Sequence, residues 1–335
     1  MKVTLAEVAR AAGVSPSTVS RILNGTATVS DQKQTKVKAV IKQLDFRPDP
    51  SARALAGGKT STVGVITQFI DSPFYGEALR GIEEVLSSAN YLPLFASGHW
   101  DKKTELHCLA LLRQRRVDGL IALSSCLSDA ALKMIAKETP LVITGRRLDA
   151  TNLCSICFDN TAAARLAVEH LIDSGHTRIA YISGPRNHRD ALERLEGYKS
   201  AMRKRAELDS SLIIESDYLE SGGLAAMNVL LDQKKPFTAV ATGNDQMAFG
   251  AALALHRRGL RVPRDVSLVG FDDLPISQYL TPPLTTVRHS ARELGAQAAQ
   301  AMLALLQGDM GAWPAPSTQL MVRESVSAPH ILNVG

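Results

Sequence analysis

At 335 residues, 45% hydrophobic and 21% charged, the chain has the composition of soluble globular material and length enough for two or three domains with cores of their own. Its opening residues carry no apolar run and nowhere do about 18 uncharged apolar residues stand together, so neither a signal peptide nor a membrane span is expected, and a cytoplasmic location is. The net charge of +5 is unevenly placed: residues 1–59 hold ten Lys/Arg against four acids, whereas the rest hold 28 against 29. A basic head on a near-neutral body points to a polyanionic partner for the head.

Thr4-Leu5-Ala6-Glu7 is a capping box, followed by Leu5, Val8, Ala9 and Ala12 on one helical face. Gly13 stops that helix, and Ser15-Pro16 starts a second with an N-cap and an N1 proline. Val19, Ile22 and Leu23 are expected to face inward there, leaving Pro16, Ser17, Ser20, Arg21 and Asn24 as a small, polar outer face suited to base-pair edges. Ser30 is expected to cap a third helix with Val37, Val40, Ile41 and Leu44 as its apolar stripe and lysines outside it. Three such helices with a basic surface form the helix-turn-helix pattern, whose second helix enters the major groove.

Asp49 to Gly58 (DPSARALAGG) combines an N-cap, an N1 proline, helix formers and a glycine stop within about two turns. A helix that short is marginal in water and should form only against a partner.

From Val63 onward short apolar strands alternate with amphipathic helices (TVGVIT, FYGEALRGIEEVLSSAN, LPLFAS, and so on), and after SICFDN the alternation begins again. The pattern predicts two parallel α/β lobes with a cleft between them. LTTVRH, ARELGAQAAQAMLALLQG and STQLMVRES supply a return helix and final strands, so several chain crossings would join the lobes. Ligands of such sheets bind beyond the carboxyl ends of the strands, where Gln68, Arg146, Asp159, Tyr218, Asn244, Asp272 and Asp273 stand. Carboxylates and amides suit the hydroxyl pairs of a polyhydroxylated guest, and Phe74, Tyr75 and Tyr218 offer flat faces. Residues at strand ends are equally suited to cap the next helix, a role open to Asn160 and Asp245.

Cys154 and Cys157 read C-x-x-C. In the strand-like run Leu153–Phe158, positions three apart point to opposite faces and no second pair completes a zinc site, so these two, with Cys108 and Cys126, are expected to be packing thiols. There is no G-x-S-x-G, phosphate loop, G-x-G-x-x-G or helically spaced histidine pair, and the eight histidines are scattered; no catalytic residue, cofactor or metal is expected. A stand-alone sugar receptor would need only the body, and the basic head argues against it.

TLAEVARAAGVSPSTVSRILNG (Thr4–Gly25), the following Val29-Ser30 and LDFRPDPSARALAGG (Leu44–Gly58) resemble the LacI/GalR family of bacterial transcription regulators, and the likeness runs over essentially the whole chain. The resemblance implies a small all-α helix-turn-helix headpiece (1–47), a hinge helix and linker (48–60), and an α/β two-lobed, type I periplasmic-binding-protein-like body (61–330). Lobe 1 would take about 61–160 plus 291–317, and lobe 2 161–290 plus 318–330. It implies a repressor that binds a palindromic operator as a homodimer, with Thr4, Ser15, Pro16, Ser17, Thr18, Ser20, Arg21, Asn24, Thr28, Ser30, Ala52, Arg53 and Leu55 at the DNA. Arg21 is the expected guanine reader and Leu55 the apolar wedge that kinks the minor groove.

For a small effector in the cleft it implies Gln68, Phe74, Tyr75, Arg146, Asp159, Asp190, Arg194, Tyr218, Asn244, Asp272 and His289, with Arg194 and Asp272 expected to face each other across the cleft. Gly145 stands where many members of the family have Asn or Asp, and Gln68 where its sugar-binding members often have Asp. A sugar effector is expected; a nucleoside or nucleobase co-repressor, or a protein co-regulator, is the alternative. No leucine heptad follows RESVSAPH, so a dimer is expected rather than the tetramer of one branch.

Overall fold

The computed structural model describes residues 3–24, 29–46, 59–206, 208–309, 311, 313–314 and 316–329. The chain divides into two compact units that part between Thr60 and Ser61.

The first unit holds α1 (Leu5–Ala12), α2 (Pro16–Asn24) and α3 (Asp31–Gln43). The capping box at α1 is complete: Glu7 N–H donates to Thr4 Oγ1 and Thr4 N–H donates to Glu7 Oε2 at 2.7 Å. Gly13 then turns the chain at φ 68°, a conformation in which glycine avoids a Cβ clash. Val8, Ala9, Ala12, Val19, Val37, Val40 and Phe46 close one small core, with Ile22, Leu23, Ile41 and Leu44 packed at its edge. Ser30 precedes α3 but makes no side-chain cap; the Lys33 N–H bonds the Ser30 carbonyl at 2.9 Å instead.

In the second unit two sheets stand side by side. The first contains β1 (Thr62–Thr67), β2 (Leu92–Ser97), β3 (Gly119–Ala122), β4 (Leu141–Thr144) and β5 (Leu153–Ile156), all parallel in the order β2-β1-β3-β4-β5. The second contains β6 (Ile179–Ser183), β7 (Ile213–Glu215), β8 (Ala239–Thr242), β9 (Ser267–Asp272), β10 (Thr285–His289) and β11 (Thr318–Met321) in the order β11-β10-β9-β8-β6-β7, with only β11 antiparallel. Their central strands β3, β6 and β8 are buried at every residue and mostly apolar, as befits strands covered on both faces by helices. Around the first sheet lie α4 (Pro73–Ser88), α5 (Lys102–Gln114) and α6 (Asp129–Glu138); around the second lie α7 (Asn160–Asp173), α8 (Arg189–Arg205), α9 (Glu220–Asp232) and α10 (Asp245–Arg257).

The chain passes to the second sheet after β5, returns after β10 as α11 (Ala291–Leu305), and passes back to end in β11. Helix α11 joins the first core, where Ala298, Ala299 and Met302 meet Ile82, Leu86 and Ile121. It lies so close to α4 that a Cβ on Gly295 would collide with the Ala78 carbonyl, and one on Gly81 with the Arg292 carbonyl. All four cysteines are free thiols, and Cys157 stands past the end of β5 in the crossing segment, so strand alternation does not set its direction.

Candidate functional site

The carboxyl ends of both sheets open on one cavity of about 460 Å³. Its first-lobe wall is aromatic and hydroxylic: Phe69, Phe74, Tyr75, Trp100, Ser124 and Thr144. The second-lobe wall carries Asp190 and Arg194 from α8, Tyr218 from the loop before α9, Asn244 at the head of α10, Asp272 closing β9 and His289 closing β10.

Arg194 is buried and tightly held. Its Nε donates to Asn160 Oδ1 at 2.9 Å and its Nη1 to the Gly243 carbonyl at 2.6 Å, while the guanidinium lies 3.8 Å over the Phe271 ring. Asp272 Oδ1 is 3.7 Å from Nη1, an ion pair without a hydrogen bond, and that oxygen has no hydrogen-bond partner among the described residues. Both residues belong to the second lobe, so they sit side by side and do not face each other across the cleft as the sequence suggests. The reason is topological: α8 covers the sheet of which β9 is a strand. Burial pushes the Asp272 carboxyl well above the usual range, with Arg194 opposing.

Tyr218, at φ 70°, lays its ring over Gly184, where any Cβ would collide with it. Its buried hydroxyl has no partner among the described residues. The His289 ring stacks on Phe158 at 3.6 Å; burial, aided by Arg194, lowers its pKa to about 3, so it is a neutral ring at physiological pH. Asn244 lines the cavity, but its amide is committed at both ends: Oδ1 caps α10 by accepting from Met247 N–H, and Nδ2 donates to the Tyr218 carbonyl.

Three residues expected in the cleft lie off its wall. Gln68 is fully buried, donating to the Ser124 carbonyl at 3.0 Å and accepting from Trp100 N–H at 2.7 Å. Arg146 turns to the Leu127 and Ser125 carbonyls and to Asp129. Asp159 caps α7 by accepting from Ala162 N–H. The capping residues are therefore Asp159 and Asn244, each one position ahead of Asn160 and Asp245. Sequence reasoning passed over Phe69, Trp100, Phe158 and Gln246; Trp100 stands three residues past the end of β2, and that position alone could have marked it.

On the first unit, Pro16, Ser17 and Arg21 are exposed along α2, with Thr18 and Ser20 partly so. The Ser15 hydroxyl lies 2.9 Å from that of Ser17 and 2.8 Å from that of Thr18, and Ser15 Oγ accepts from Thr18 N–H. Thr4 is tied to Glu7, whose carboxyl those bonds hold below its ordinary range. Asn24 ends α2; Thr28, Ala52, Arg53 and Leu55 lie outside the described residues.

Residues 4–49 match the family described as bacterial regulatory proteins, lacI family, and residues 168–326 match a periplasmic binding protein-like domain. The chain is 35% identical to the HTH-type transcriptional regulator GalR of Escherichia coli (strain K12), covering 98% of this chain and 97% of that one. It belongs to the LacI family. Among solved structures of similar chains are the lac repressor dimer bound to operator and the anti-inducer ONPF (TM-score 0.88, 30% identity, 98% of this chain and all of that one) and the transcriptional regulator CelR in complex with cellobiose (TM-score 0.71, 32% identity, 97% and 100%). The LacI-family chain is a DNA-binding transcriptional regulator and not an enzyme. Among its described residues no helix is long and apolar enough to cross a membrane, and no group of metal-ligating side chains gathers.

One buried carboxyl organises the turn that presents Asp272 in this LacI-family body. Asp245 Oδ2 accepts from Ser277 Oγ and Leu274 N–H, and Oδ1 from Thr286 Oγ1 at 2.6 Å, fixing the loop after Asp272-Asp273, both at positive φ. Burial raises its pKa to about 6 against the pull of those bonds. Between the unfolded value near 4 and the folded value, the folded state holds a proton that the unfolded state has lost. The stability contributed by protonated Asp245 is thus full below about pH 4 and declines as pH rises through about 6, by about 3 kcal/mol in all. The stability difference between the parent and Asp245→Asn, measured by urea unfolding, should shrink by that amount over this window. A difference independent of pH would show that Asp245 titrates normally.

Proposed function

We propose that this regulator is a repressor that binds a palindromic operator as a homodimer and responds to an uncharged sugar held between the lobes of its body. The observation that carries the reading is the cavity wall itself: two buried oxygens without a partner among the described residues, Asp272 Oδ1 and the Tyr218 hydroxyl, beside flat aromatic faces. A sugar presents hydroxyls to the first and C–H faces to the second. Besides Asp272, whose charge burial disfavours, four carboxylates (Asp71, Asp190, Asp217 and Glu220) line the cavity with a single guanidinium, so a phosphorylated or acidic guest would meet repulsion. CelR, solved with cellobiose, supports the ligand class, and the lac repressor dimer on its operator supports the assembly.

Exposed apolar side chains provide for the dimer: Leu92 and Phe95 on the edge strand β2, Val229 on α9, Leu253 on α10, and Ile276 and Tyr279, the last 73% exposed. At the DNA, the outer face of α2 reads the major groove, and Leu55 is carried into the reading from the sequence as the minor-groove wedge. Calorimetry of the full chain against neutral mono- and disaccharides, their phosphates and nucleosides, with operator release as second readout, tests this. Heat and operator release are expected from a neutral sugar only. A response confined to nucleosides or sugar phosphates, or none, overturns the ligand assignment.

A further inference from the structure

The two lobes touch through an aromatic pair that belongs to neither set of expected effector contacts. Trp100, on the loop after β2, lies flat against His188, the residue that opens α8 in the second lobe; the ring centroids are 3.8 Å apart and the planes 23° from parallel. His188 in turn lies 6.1 Å from the Tyr218 ring, and α8 carries Asp190 and Arg194 in its first turns. His99 and Trp100 both sit at positive φ, 53° and 54°, unusual for side chains of this size. Gln68 holds them there: its carbonyl accepts from His99 N–H at 3.0 Å and its Oε1 accepts from Trp100 N–H at 2.7 Å, while Nε2 is anchored on Ser124. A strained segment persists only where its surroundings over-determine it, and here the result is to aim one indole at the opposite lobe.

We propose that Trp100 and His188 form a clasp that holds the cleft closed, and that Gln68 is the positioning residue that aims it. The inference rests on the reading of the cleft as the effector site and adds to it a determinant of closure. Opening the lobes must separate the two rings. An aromatic stack of this kind shifts such an equilibrium by about threefold to tenfold. Ligand bound between closed lobes therefore shares its closing free energy with the clasp, and loss of the clasp weakens ligand binding by at most that factor, in proportion to the fraction of molecules that open.

The test uses the full chain carrying Trp313→Phe, which leaves Trp100 as the sole tryptophan. Acrylamide quenching of its emission should rise severalfold in His188→Ala and in Gln68→Ala, and return to the parent value in His188→Phe, which keeps a ring to stack on. Circular dichroism melts identify any variant that has not folded, and Gln68→Ala against the parent still decides the matter if His188→Ala fails. A Trp100 already open to acrylamide in the parent, or unmoved by His188→Ala, overturns the clasp. Cellobiose titration then separates the two readings. Cellobiose that restores the shielding of Trp100 in His188→Ala, with a calorimetric midpoint higher than the parent's by up to about tenfold, supports the clasp, an unchanged midpoint overturns it, and no heat of binding in the parent counts against a cellobiose-like effector alone, with the quenching data still deciding the clasp.

Discussion

Asp272→Asn is expected to abolish the response to effector while leaving operator binding by the ligand-free protein intact and the fold at least as stable. Burial already disfavours the charge on Asp272, so an uncharged isostere gives up little in the folded state. What it loses is one of the two carboxyl oxygens of a residue on the cavity wall, where Oδ1 has no partner among the described residues. Arg194→Ala should behave differently. It takes the donor from Asn160 Oδ1 and from the Gly243 carbonyl and removes the guanidinium packed on Phe271, and each buried acceptor left unsatisfied costs about 1–3 kcal/mol. The unequal effects follow from the side-by-side placement of the pair; two residues gripping from opposite lobes would each be removable without harm to the fold. If the effector is an inducing sugar, Asp272→Asn represses permanently; if it is a co-repressor, the variant is permanently derepressed. Thermal melts and operator release, measured together for both variants, check this, and an undiminished response in Asp272→Asn would displace the effector from this end of β9.

Arg21→Ala should relax base choice in each operator half-site by roughly 1–3 kcal/mol for the base pair that Arg21 reads, with little change in headpiece stability. Arg21 is exposed on α2, while Val19 two residues before it is wholly buried in the three-helix core, so the substitution touches the outer face of α2 and spares the packing. Binding by the parent should weaken steeply as salt rises, because the basic face releases counterions from phosphate. Competition between the operator and single-base variants of it measures the first effect, and a salt titration the second. A variant that discriminates among those sites as sharply as the parent removes Arg21 from the reading head.

Much of this was legible along the chain because the rules are local. The Thr4–Glu7 box, the Gly13 turn and the Ser15-Pro16 start each span a few residues, and all appear as read. The alternation of apolar strands with amphipathic helices likewise declared two parallel sheets, since a strand covered on both faces must be apolar whatever lies around it. The family motif at the head made DNA regulation readable before any coordinate.

The cleft was legible only in part, because a polar residue at a strand end has several possible partners and sequence does not say which one is near. Gln68, Arg146 and Asp159 are engaged by the Trp100 loop, by backbone carbonyls and by a helix cap, whereas Arg194 and Asp272 come together within one lobe. Trp100 carries no motif; its meaning depends on His188, a residue of the other lobe. Local hydrogen bonding and hydrophobic period thus determined the elements and their class from the sequence itself, while the choice of partners at the site depended on packing between segments far apart in the chain, which only the tertiary structure decides.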